Sequence, residues 1–256
     1  MNIIGIIPAR LASSRFPNKP LADILGMPMI GHCYHRSKMS NILNDVYVAT
    51  CDKEIYDFVE SIGGKAVMTA DTHERASDRT AEALLKIEES TGKKVDIVVM
   101  LQGDEPMITP GMIQAAVQPL IDDKGIKISN LYAKIKTLEE FEDPNEVKVV
   151  IDKNEFALYF SREPIPSRKK GVTDVPMYKQ VCIIPFDRDF LLEYNSMEQT
   201  PLEIIESVDM MRILENGMKV KMIYTEKESY AVDTQKDLEN VIEKMKFDTL
   251  IKQYLK

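Results

Sequence analysis

Short β-branched runs alternate with helical periodicity through the first half of the chain. Ile3, Ile4, Ile6 and Ile7 surround one glycine and read as a strand buried on both faces, ended by Pro8. Helical spacing runs from Gly26-Met27-Pro28 to about Ser40, with the proline near the first turn. Val46 to Thr50 is a second strand, followed by a helix that Asp52 can cap and Gly63-Gly64 ends. Lys65 to Met68 is a short third strand. A helix over 77–90, with Ser77 as a candidate cap, leads to the apolar run Val95 to Leu101, expected near the centre of a sheet, and then to a helix over 109–121. This βα repetition predicts an α/β fold: a doubly wound, mainly parallel central sheet of Rossmann-like kind.

The second half changes character. Lys127 to Lys134, Val147 to Asp152 and Glu155 to Phe160 are short strand-like runs separated by Asp-Pro-Asn and Lys-Asn turns. Lys179 to Phe186 and Lys219 to Tyr224 add two strands. Residues 167–177 read as a polar excursion. A helix starts at Thr200-Pro201, with Glu203, Glu206 and Asp209 on roughly one face and Arg212 a turn later. Helical salt bridges or a polar site both fit that face. A final helix over 236–246 precedes an amphipathic tail, 247–256, suited to packing on the core or on a partner subunit. No composition shift marks a boundary, so the chain is expected to be a single domain over 1–256. Its halves, 1–125 and 126–246, form the main sheet and a smaller β-containing excursion.

Composition narrows the function classes. At 44% apolar and 29% charged, the chain has the makeup of a globular protein rather than a disordered one. A net charge of −8 argues against a general nucleic-acid binder. No apolar run approaches the ~20 residues that span a bilayer, and the first apolar run lacks the flanks of a signal peptide. Three widely spaced cysteines fit reduced thiols, so a cytoplasmic protein is expected. His32 and His35 share a helical face, but no Cys/His cluster elsewhere supplies further zinc ligands.

Against this acidic background the loop after the first strand stands out. Arg10, Arg15 and Lys19 occur there with no carboxylate among them, just beyond the carboxyl end of a parallel strand, where open α/β sheets bind ligands. A solvated basic loop and a polyphosphate site both fit. Gln102-Gly103-Asp104-Glu105-Pro106 ends the later apolar strand. Asp104 is either a turn residue or a magnesium ligand, with Gly103 allowing close backbone approach. Asp233 can cap the last helix. Neither a GxxxxGK[ST] loop nor a GxGxxG fingerprint occurs, which argues against P-loop NTPases and dinucleotide dehydrogenases.

Several of these segments resemble one family. Pro8-Ala9-Arg10 with Ser13, Arg15, Pro17, Lys19 and Pro20 is similar to the nucleotide loop of sugar-acid cytidylyltransferases, most of all the octulosonate-specific ones. Gln102 to Pro106, Ser161-Arg162 with Ile165-Pro166, Pro201-Leu202-Glu203 with Glu206, and Val232-Asp233-Thr234 follow in the family's order to about residue 246. The resemblance implies a cytoplasmic, homodimeric nucleotidyltransferase of lipopolysaccharide biosynthesis. It would join CMP from CTP to the anomeric hydroxyl of 3-deoxy-manno-octulosonate. Pro8, Ala9, Arg10, Ser13, Arg15, Lys19, Ser77, Arg79 and Gln102 would hold the nucleotide, and Asp104 and Asp233 would hold Mg2+. With them, Arg10 and Lys19 are the catalytic candidates.

Arg162, Gln180, Glu203, Glu206 and Met210 would form or brace the acceptor site. Gln180 stands where the family carries a histidine, and Met210 where it carries a glutamine. A different ulosonic acid or other anionic acceptor is therefore an alternative. A non-catalytic nucleotide-binding regulator is an alternative of another class, disfavoured by the intact carboxylate pair.

Overall fold

A computed structural model describes residues 1–12, 16–172 and 174–255. They form two compact units, 1–114 with 229–256, and 115–228. The first division falls at residue 114, where the sequence reading places the halves of a single domain at residue 125. The chain leaves the first unit inside a helix and later returns to it, so neither crossing carries a linker's composition.

The first unit is built on four parallel strands. β1 (Ile3–Ala9) pairs on one side with β4 (Asp45–Thr50) and on the other with β6 (Ile97–Leu101), and β5 (Ala66–Met68) extends the sheet beyond β4. A central place in the sheet, with crossover helices packed on its faces, explains why Ile3, Ile4, Ile6 and Ile7 are at most 4% exposed. β1 runs through Pro8 instead of ending there. Its ladder with β6 stops at Ile6, so the missing N–H of Pro8 falls where only β4 lies alongside.

Between β1 and β4 the chain makes a hairpin, β2 (Asp23–Ile24) and β3 (Met27–Pro28), and then α1 (Met29–Lys38). The helix therefore starts after Pro28. Leu25 and Gly26 both have positive φ, 55° and 91°, the backbone of a two-residue type I′ turn. α2 (Lys53–Ser61) and α3 (Ala76–Thr91) are the remaining crossovers, α4 (Pro110–Asp122) follows β6, and α9 (Gln235–Met245) closes the unit. From β1 the chain steps outward to β4 and β5 and then back past β1 to β6. Right-handed crossovers in opposite directions place helices on opposite faces. They also leave a switch point between the carboxyl ends of β1 and β6.

The tail belongs to this unit. Tyr254 accepts a hydrogen bond from Arg36 Nε (3.1 Å), pairs its hydroxyl with His32 Nδ1 (2.9 Å) and stacks on His35. Asp248 forms an ion pair with the fully buried Arg36. His32 is a packed core histidine whose Nε2 meets the Ile24 carbonyl at 2.8 Å.

The second unit is a mixed sheet in the order β12-β7-β10-β8-β9. Its strands are β7 (Ser129–Lys134), β8 (Lys148–Ile151), β9 (Ala157–Ser161), β10 (Tyr178–Val181) and β12 (Lys221–Tyr224). Among the described residues of this sheet, only β7 with β12 is parallel. The run 179–186 is broken at Cys182 into β10 and β11 (Ile183–Asp187). Helices α5 (Leu138–Glu142), α6 (Arg188–Ser196), α7 (Pro201–Glu206) and α8 (Met210–Glu215) complete the unit. The expected single helix from Thr200 is two, because Ser207 takes a left-handed conformation (φ 52°) and stops the first. No helix among the described residues is long and apolar enough to cross a membrane.

Candidate active site

Three charged side chains meet at the switch point. A Cβ at Gly103 would lie 3.1 Å from the Pro8 carbonyl oxygen and 3.3 Å from Ile30 Cδ1, so glycine brings the turn after β6 against the end of β1. Asp104 follows at once. Lys19 opens a short 3-10 turn, entered through Asn18 in the left-handed region (φ 58°). Its ammonium lies 2.6 Å from Asp104 Oδ2 and 3.3 Å from Asp233 Oδ1. Asp233 is not the cap of α9. Thr234 is, accepting from the Asp237 N–H, while Asp237 Oδ2 accepts from the N–H groups of Asp233 and Thr234. This reciprocal box leaves the Asp233 carboxylate to face Lys19.

Burial works to lower the Lys19 pKa, but the two aspartates outweigh it and hold the ammonium above the ordinary lysine range. The lysine is therefore a fixed cation at neutral pH. It marks a point on which two carboxylates already converge. Among the described residues no third His, Cys, Asp or Glu joins them in a metal-binding group. Two carboxylates suit magnesium, which keeps waters and takes its other ligands from substrate phosphates.

Around this centre lie the other nucleotide candidates of the first unit. Pro8 is half-buried and Ala9 buried at the end of β1, and Gln102 is half-buried beside Gly103. Arg10 is exposed and reaches the His73 carbonyl at 3.4 Å, linking the basic loop to the polar loop before α3. Ser13 and Arg15 lie outside the described residues. Asp52 stands at the N-cap position of α2 as expected but makes no side-chain capping bond; its carboxylate accepts from the Leu11 N–H at 2.7 Å and anchors the basic loop. An aspartate just past a strand was the only sequence signal for that role. Ser77 is fully buried in the first turn of α3, whose cap position belongs to Arg75. Arg79, 3% exposed, donates to Thr69 Oγ1 and to the Ala70 carbonyl, while its Nη2 is buried without a hydrogen bond. Glu82 shapes the same loop by accepting from the Ala70 N–H and pairing with His73 and Lys86. Burial opposes its ionisation, but Lys86, the Ala70 amide and His73 pull its pKa down to about 2.

The acceptor candidates all lie in the second unit. Arg162 donates to the carbonyls of Glu206 (2.6 Å), Pro144 (2.8 Å) and Ser207 (3.1 Å), closing the end of α7. Glu206 in turn accepts from Tyr159, Ser161 and the Arg162 N–H. Glu203 is fully buried in a two-bond pair with Arg212, 2.7 Å each, and Met210 is fully buried. Gln180 is half-buried and donates to Asn130 Oδ1, which turns its own carbonyl oxygen away from that bond.

Comparison with known proteins places the chain as a whole. The family described as Cytidylyltransferase matches residues 4–222. A 3-deoxy-manno-octulosonate cytidylyltransferase of Geobacter metallireducens is 42% identical over 255 residues, covering 96% of this chain and 98% of the relative. One from Fusobacterium nucleatum is 43% identical over 247 residues, with 96% and 98% covered. The structure of a CMP:2-keto-3-deoxy-manno-octonic acid synthetase complexed with CTP superposes with a TM-score of 0.88. It shares 36% identity, over 96% of this chain and 99% of that one. A cytidylyltransferase from Leptospira borgpetersenii, 17% identical with a TM-score of 0.64 over 99% and 94% of the two chains, shares the fold. A family match over most of the chain and relatives above 40% identity at nearly full length settle the assignment: this chain belongs to the cytidylyltransferase family.

Proposed function

We propose that the chain transfers CMP from CTP to 3-deoxy-manno-octulosonate, with Asp104 and Asp233 holding Mg2+. The convergence of both carboxylates on Lys19 at the switch point supports the reading most directly. The anomeric hydroxyl oxygen bonds to the α-phosphorus, the bond from that phosphorus to the β-phosphate's bridging oxygen breaks, pyrophosphate leaves, and the hydroxyl proton is lost to solvent. Bound magnesium would neutralise triphosphate charge and acidify the attacking hydroxyl. Arg10, Arg15 and Lys19 meet phosphate oxygens, and Pro8, Ala9, Ser13, Ser77, Arg79 and Gln102 surround the nucleotide. Arg162 retains N–H groups beyond its three carbonyl bonds with which to meet the acceptor carboxylate. Gln180 offers an acceptor oxygen to a sugar hydroxyl. Glu203, Glu206 and Met210 brace that side.

A homodimer is part of the proposal. Ile204 and Ile205 on α7 and Leu158 on β9 are 58%, 73% and 60% exposed, on elements that Glu206 ties together. A cytoplasmic location fits an enzyme that consumes CTP. The deciding experiment measures pyrophosphate release from CTP and Mg2+ against a panel of acidic sugars and other anionic acceptors. Octulosonate is expected to be the best of them. A better acceptor elsewhere would point to the Gln180 and Met210 replacements, and no release with any acceptor would favour the regulatory alternative.

A further inference from the structure

For Asp104 and Asp233 to meet one cation, two segments distant in sequence must be held in register. One is the turn after β6, the other the stretch from Ser229 into α9. Their backbones are joined by the Val232 N–H and the Asp104 carbonyl at 2.9 Å. A second link is made by side chains. Glu105 follows Asp104 and is 5% exposed, Ser229 is 8% exposed, and the serine hydroxyl donates to Glu105 Oε2. A buried carboxylate is expensive to desolvate and persists where its partners are fixed. A buried hydrogen bond one residue from a functional carboxylate limits how far that carboxylate can move.

We propose that Glu105 and Ser229 are positioning residues, a buried clasp that sets the separation of Asp104 and Asp233 and so tunes their affinity for a divalent cation. The proposal rests on the reading of those two aspartates as metal-holding. Supporting groups of this kind change metal affinity or activity by about 10- to 100-fold when lost.

The test titrates Mn2+ into the full chain without nucleotide, following the free-ion paramagnetic signal against a protein-free control, and measures kcat and the acceptor KM alongside. Ser229→Ala is expected to weaken Mn2+ binding and lower kcat by about tenfold each, with acceptor KM within about twofold of the parent. Ser229→Thr, which keeps the hydroxyl, should restore both, and Glu105→Leu, which cannot accept the hydroxyl, should resemble Ser229→Ala. Mn2+ affinity and kcat within about twofold of the parent in Ser229→Ala would overturn the clasp, even if its melting temperature fell. Asp233→Asn separates the two ideas. If it loses Mn2+ while Ser229→Ala does not, only the clasp fails; if it binds Mn2+ normally, the metal reading fails and takes the clasp with it.

Discussion

Lys19 occupies the point that a metal ion would contest. Its ammonium neutralises two carboxylates that would otherwise repel each other at short range. Lys19→Met keeps much of the stem and removes the charge, leaving the aspartates uncompensated. Mn2+ should then bind the nucleotide-free protein several-fold more tightly, while the KM for CTP should rise if Lys19 meets a phosphate as proposed. Unchanged Mn2+ affinity in that variant would show that the ammonium and the metal do not share the site. Asp104→Asn and Asp233→Asn should each lower kcat by at least ~10²-fold, the scale of losing one strong electrostatic stabiliser. Near-normal turnover by either variant at limiting Mg2+ would remove that aspartate from the site. Lys19 and Asp104 stand out before any coordinates, because a basic loop and a strand end have local signatures, whereas Asp233 reads as a helix cap and only the family resemblance pairs it with Asp104. Residue patterns alone do not bring the three together. Lys19 lies 85 residues from Asp104 and 214 from Asp233, and no periodicity encodes a contact of that range.

Element by element, the sequence pattern located most strands of the first unit and misjudged the helices of the second. The 200–212 stretch reads as one amphipathic helix, yet Ser207 breaks it without a glycine to mark the place. The break turns α8 back on α7, so Arg212 meets Glu203 nine residues away, a spacing that no continuous helix brings face to face. Arg212 also donates to the Tyr194 and Met197 carbonyls and covers the Tyr194 ring, fastening α6 to both helices. Glu203→Gln should therefore destabilise the protein by about 3–5 kcal/mol, the effect of breaking a buried pair from one side. Denaturant titration measures the loss, and the acceptor KM of the folded variant should stay within about twofold of the parent. A large KM change with unaltered stability would instead return Glu203 to the acceptor site.

At the scale of the whole molecule, stability should fall with acid through a group buried in the first unit. His32 is fully buried, and burial with the nearby Arg36 lowers its pKa to about 4 although the Ile24 carbonyl opposes this; Tyr254 packs against it. The unfolded chain takes up a proton near pH 6.5 that the native state refuses until about pH 4, so stability falls as pH drops across that window. The contribution reaches roughly 3 kcal/mol at its lower end. His32→Gln should show a correspondingly shallower decline in urea midpoint; parallel declines in the two proteins would exclude His32 as the source. The two-unit organisation left no trace in composition, because the chain passes from one unit to the other inside α4 and returns ahead of Ser229 without a change of character. That return has a consequence for how the protein is made. A ribosome delivers Lys19 and Asp104 first, then the whole second unit, and only afterwards Asp233 and the tail that satisfies Arg36 and His32. A nascent or prematurely terminated chain thus lacks Asp233 together with the Tyr254 and Asp248 partners of Arg36 and His32, so the first unit is complete only once translation has passed its last segment.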